Sequence, residues 1–131
     1  MKGFVEDIEE LTEENSDYRR VLYTGKHLQL VLMCLEPGGE IGEEVHEDAD
    51  QFFRVEKGKG EVWIDGSGTK LKGDDAVVVP AGARRNVVNT GHKPLKLYTL
   101  YSPPHHRDGL KASTKAEADA STEHFDGNTT E

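Results

Sequence analysis

Between about Tyr18 and Tyr101 the chain is a succession of short apolar runs with a period of two, each ended near glycine or proline, and no apolar pattern there recurs at helical spacing. Alternate side chains share a face only in extended chain, so this segment is restricted to short strands, and strands this numerous close into a sandwich or barrel. Leu28, Leu30 and Leu32 alternate with Gln29, Val31 and Met33 before Pro37, Gly38 and Gly39. Phe52 to Val55 form a second run that stops at Gly58 and Gly60. Val62 and Ile64 alternate with Glu61, Trp63 and Asp65, and the pair Asp65-Gly66 signals a hairpin because both residues tolerate the positive φ of a tight turn. Lys70 to Lys72 are then expected to pair back. Ala76 to Val79 is a continuous apolar run closed by Pro80, as in a strand buried on both faces or an edge strand. Asn86 to Asn89 and Leu95 to Leu100 bring the total to about seven to nine strands, near the count of a jelly roll.

The flanks differ in character. Residues 1–17 are acidic, with Ile8 and Leu11 three apart, which predicts a short helical turn or an arm laid against the barrel. Residues 102–131 form an extension in which Thr114 and Glu117 have the spacing of a capping box, so a short helix is expected from Lys115 to about Ser121. The last ten residues are polar and are expected to be poorly ordered. No linker divides the chain, and its 131 residues suit one domain, residues 18–101 being the barrel. A net charge of -9 disfavours nucleic acid and anionic membrane surfaces as partners. Cys34 is the single cysteine and sits in an apolar run, which reads as a buried thiol in a reducing compartment. The start of the chain lacks a secretory apolar segment and no stretch has the length of a membrane span, so a cytoplasmic setting is expected.

The chemistry concentrates in Glu43-Glu44-Val45-His46-Glu47-Asp48-Ala49-Asp50-Gln51, just ahead of a strand. In extended chain Glu44, His46 and Asp48 share a face, and a carboxylate with an imidazole suits Mn, Fe, Zn or Ni. A solvated acidic loop that keeps the protein soluble accounts for the same composition.

Spacing then becomes specific. Gly38, five residues, Glu44-Val45-His46, four residues, Gln51, six residues and Gly58 follow the first cupin motif. Gly73, Pro80, Ala81, Gly82, Arg85 and Asn89 follow the second, with one extra residue between Gly73 and Pro80. Over residues 28 to 101 the chain thus resembles the cupin superfamily, and within it the small single-domain cupins likened to mannose-6-phosphate isomerase. That resemblance implies an all-β cupin double-stranded β-helix, a jelly-roll β-barrel with short N- and C-terminal extensions, commonly paired as a homodimer. It also implies a divalent metal ion acting on a small-molecule substrate. Where the family has its first histidine ligand stands Glu44, the second is retained as His46, the glutamate is replaced by Gln51, and the last histidine by Arg85.

Glu44, His46 and Gln51 are therefore the expected metal ligands, while Arg85, always protonated, offers no lone pair. Three placements of Arg85 are open: clamping an anionic group of the ligand, pairing with Glu44 inside the barrel, or turning outward beside Arg84. His105 and His106 follow Pro103 and Pro104, which fix their direction; they either lie on the surface or fold over the mouth as a replacement ligand or an acid and base pair. His106 and Arg85 are the candidate catalytic groups. His27, His92 and His124 carry no pattern and read as surface, and Phe52, Phe53, Trp63 and Tyr98 as core or pocket wall. The functional expectation is a metal-dependent enzyme on a small polar or anionic substrate, of sugar-phosphate isomerase type. A non-enzymatic module whose degenerate metal site binds a small anion is the alternative.

Overall fold

The computed structural model describes all residues 1–131. Its elements in chain order are α1 (Ile8–Glu14), β1 (Arg19–Thr24), β2 (Gln29–Leu35), β3 (Glu44–Val45), β4 (Asp50–Lys57), β5 (Lys59–Ile64), β6 (Ser67–Lys72), β7 (Ala76–Val79), β8 (Arg84–Val88), β9 (Leu95–Ser102), β10 (Lys111–Ala112) and α2 (Lys115–Ala120). All pairings are antiparallel, in a six-stranded sheet ordered β10-β1-β2-β9-β4-β7 and a four-stranded sheet ordered β3-β8-β5-β6. This is an all-β jelly roll. No helix is long and apolar enough to cross a membrane.

The core lies between the sheets and follows the two-residue period: Val31, Met33 and Leu35 from β2, Leu95 and Leu97 from β9, Phe53 and Val55 from β4, and Val62 and Val87 from the smaller sheet. Each such fully buried side chain stabilises the fold by about 1.5–3 kcal/mol. The Asp65-Gly66 turn joins Ile64 to Ser67 with both central residues at positive φ, 47° and 83°, as a two-residue hairpin requires. Gly58 is likewise demanded: its φ is 98°, and a Cβ there would sit 2.8 Å from the Pro94 carbonyl oxygen. Asn89 is buried and donates to the carbonyls of Leu35 and Lys93, tying the strand ends together.

Several sequence expectations change here. Ten strands form rather than seven to nine, because β3 and β10 are two-residue strands too short to leave a pattern and β1 is polar at its start. The final ten residues are not loose: Phe125 N–H donates to the His105 carbonyl, Thr130 N–H to the Thr24 carbonyl, and Thr24 N–H to the Thr130 hydroxyl. A polar tail is laid against the barrel through its backbone donors once they find partners. Trp63 is 42% exposed and packed across Gly68 on the outside of the small sheet, where it walls a hollow beside Arg84 and Asn86 instead of entering the core. Phe52 and Tyr98 are half-buried on the outer face of the large sheet, whereas Phe53 is fully buried. Helix α2 forms where the capping-box spacing placed it, capped by Thr114, whose hydroxyl accepts from Glu117 N–H while the Glu117 carboxylate accepts from Ser113 N–H. Cys34 is buried, and that burial pushes its thiol up.

Candidate metal centre at the barrel mouth

One end of the barrel interior is polar. The turn Pro80-Ala81-Gly82, with Gly82 at φ 88°, holds the loop before β4 through Gly82 N–H to the His46 carbonyl and Ala81 N–H to the Asp50 carboxylate. That pins the segment carrying Glu44 and His46. Glu44 sits opposite Arg85 in the β3–β8 register, and its carboxylate meets His46 Nε2 at 3.2 Å. Burial opposes ionisation of Glu44, but the hydrogen bond and charge of His46 outweigh it and hold the carboxyl below its usual range.

The third member comes from beyond the last barrel strand. His105 packs on His46 with ring centroids 4.3 Å apart and stacks on Tyr101 at 5.3 Å. Glu44, His46 and His105 bring one ligand atom each to within 4.8 Å of one another. Burial, then the neighbouring His106 and His46, push His105 down to about 4, so its imidazole is neutral and has a lone pair to offer at neutral pH. Donors bound to one ion at about 2.1 Å lie at most about 4 Å apart, so small side-chain rotations bring these three onto a divalent cation. The donor set, one carboxylate and two imidazoles with open positions beyond, fits such an ion.

Gln51 and Arg85 are both inside the barrel, 3% exposed each, but they are engaged with one another. Arg85 Nη1 donates to Gln51 Oε1 at 2.8 Å, its Nε and Nη2 donate to the Ala83 carbonyl, and Gln51 Nε2 donates to Thr99 Oγ1. Arg85 thus takes a fourth placement, inward on neutral partners. The oxygen that Gln51 would offer an ion is occupied. Asp48 is exposed and outside the cluster.

His106 is buried and packs edge-on against His105 with ring centroids 4.8 Å apart, but both of its ring nitrogens are engaged outside the cluster. Its Nδ1 lies 2.7 Å from Glu123 and its Nε2 3.3 Å from the Tyr101 hydroxyl. Burial pushes the His106 imidazole down and Glu123 only partly restores it, while burial pushes the Tyr101 phenol up. The consistent network has Nδ1–H donating to Glu123 and the phenol donating to Nε2. Gln29, fully buried, accepts from both His105 and His106 N–H and donates to the His106 carbonyl and the Thr24 hydroxyl. Gln29 had one legible signal, a polar residue in phase with Val31 and Met33. Glu123 had none, because its partnership exists only once the tail folds back.

Two hollows flank the cluster. One of about 340 Å³ is lined by Arg19, Gly42, Glu44, His105, His106 and Glu123; the other, about 420 Å³, by His46, Asp48, Pro103, Pro104, His105 and Phe125 among others.

Comparison with known proteins agrees with this architecture. A family model described as "Cupin domain" matches residues 31–101. The chain is 46% identical over 123 residues to the Bacillus subtilis protein YrkC, covering 89% of this chain and 66% of that protein. It is 40% identical over 111 residues to a protein of Acanthamoeba polyphaga mimivirus, covering 81% and 69% respectively. The chain therefore spans about two thirds of the length of these relatives. The crystal structure of BH2720 from Bacillus halodurans superposes with a TM-score of 0.90 at 44% identity, over 92% of this chain and 96% of that one.

Proposed function

This chain belongs to the cupin family, and from that premise we propose that it is a metal-dependent cupin enzyme of isomerase-like type acting on a small polar or anionic substrate. Glu44, His46 and His105 hold one divalent ion, Mn, Fe, Ni or Zn, with His105 taking the part expected of Gln51. The carrying observation is the convergence of these three ligand atoms within 4.8 Å. A bound ion supplies polarisation of a substrate carbonyl or hydroxyl. The protein's own groups do the rest: Gln29 fixes the peptide that presents His105, Glu123 fixes the tautomer of His106, and His106 Nε2 accepts the Tyr101 O–H, which holds the phenol ring against which His105 stacks. Arg85 contributes a fixed positive charge from behind, on neutral partners. A reducing cytoplasmic setting suits the free Cys34 thiol, and pairing of two copies suits the outer face of the large sheet, where Phe52 and Val78 stand in register.

Arg85 also favours a second reading. A buried guanidinium whose partners are neutral is a ready counter-charge for a small anion, which is what a non-enzymatic binding module would need. Elemental analysis of the purified protein, with thermal melting in added Mn, Fe, Ni or Zn, separates the two. The metal reading expects close to one ion per subunit and a raised melting temperature; less than about a tenth of an ion, with no stabilisation by any of the four, removes it.

A further inference from the structure

We propose that Arg19 is the residue by which the site takes its ligand, a small carboxylate whose adjacent hydroxyl or oxo oxygen reaches the ion; this rests on the metal-binding reading of Glu44, His46 and His105. In the β1–β2–β9 register Arg19 lies opposite Met33, which lies opposite Leu97, so its side chain starts on the interior face of the large sheet. The guanidinium sits 5.3 Å from the centroid of the Tyr18 ring, an arrangement that supports its flat face and leaves its edge donors for something else. It lines the same hollow of about 340 Å³ as Glu44, His105 and His106.

The other charges around that hollow are already matched. Glu43 pairs with Arg84 at 3.0 Å, Lys115 with Asp119 at 2.6 Å, Glu44 with His46, and Glu123 with His106 and the Arg107 N–H. Arg19 alone has no carboxylate within ion-pair distance, although Glu44 and Glu123 feel its charge, and its buried Nε has no hydrogen-bond partner within the protein. A buried charged donor left without a protein acceptor is unfavourable and calls for a partner from outside the chain. The planar fork matches a carboxylate in two parallel hydrogen bonds. Glu44 and Glu123 line the same space, so a singly charged carboxylate is admitted more readily than a dianionic phosphate.

The test uses the whole protein loaded with Mn2+, with binding followed by the loss of the free-ion paramagnetic resonance signal, and pyruvate, a singly charged 2-oxo carboxylate, then titrated by calorimetry after unbound metal is removed. Wild type is expected to bind the ion and then pyruvate. Arg19→Met and Arg19→Gln are each expected to keep Mn2+ affinity within threefold while losing at least tenfold in pyruvate affinity, with Arg19→Lys between. Pyruvate affinity unchanged in either folded variant overturns the role of Arg19. Absence of pyruvate binding to the loaded wild type, or tighter binding of inorganic phosphate, overturns the carboxylate class. Failure of wild type to take up Mn2+ is a different result, removing the underlying metal reading and this one with it.

Discussion

Arg85 brings a permanent charge into a space where the family pattern expects a histidine, and its hydrogen bond occupies the one oxygen Gln51 could present. Arg85→His removes the cation, frees Gln51 and adds an imidazole, so divalent-metal affinity is expected to rise at least about tenfold. Competition against a metallochromic chelator measures this, and an unchanged affinity would mean that the charge is not felt at the cluster. At this scale the sequence was informative where a motif spaced the residues: Glu44 and His46 meet at the mouth, and Gln51 and Arg85 pair in the buried interior beside them. It was silent on who would bond to whom. Arg85 and Gln51 choose each other because both are amply buried and each leaves the other unsatisfied otherwise, a choice that depends on depth rather than spacing. His105, Arg19 and Glu123 meet through chain segments far apart in sequence, which no local pattern encodes.

Strands and turns were legible in proportion to their alternation. The β5–β6 hairpin and β7 follow directly from Asp65-Gly66 and from the Ala76–Val79 run ended by Pro80. β3 and β10 escaped notice because two residues have no period, and both exist only as short additions to a neighbour's edge. Glycines inside strands carry element-level information of another kind. Gly60 lies where a Cβ would be 2.6 Å from the Val88 carbonyl oxygen and 2.9 Å from Leu95 Cδ2, so β5 can pass β8 and β9 this closely only without a side chain. Gly60→Ala is therefore expected to lower stability by about 2 kcal/mol, read as a reduced urea midpoint with an unchanged slope. Gly66→Asn, at an open turn position that asparagine tolerates, should move the midpoint little.

Across the whole molecule the two faces of the large sheet have unequal cover. Helix α1 lies against β9 and β4, and Lys96 donates to the Asn15 carbonyl at that end. Toward the mouth Leu30, Leu100, Phe52 and Val78 stand in one register row across four strands, with Val78 67% exposed. A row of this kind on an edge-terminated sheet is the surface expected to meet a second copy. Sedimentation should find a dimer that Phe52→Asp with Val78→Asp converts to monomer; a monomeric wild type would sink the assignment. The placement of the ligand atoms has one more outcome. Glu44 and His46 lie ahead of β4, His105 lies after β9 and hangs from Gln29 and Phe125, so no partial fold contains a complete set. A captured cation would then act as a latch set after closure, retarding the unravelling of the barrel while leaving the speed of its assembly untouched.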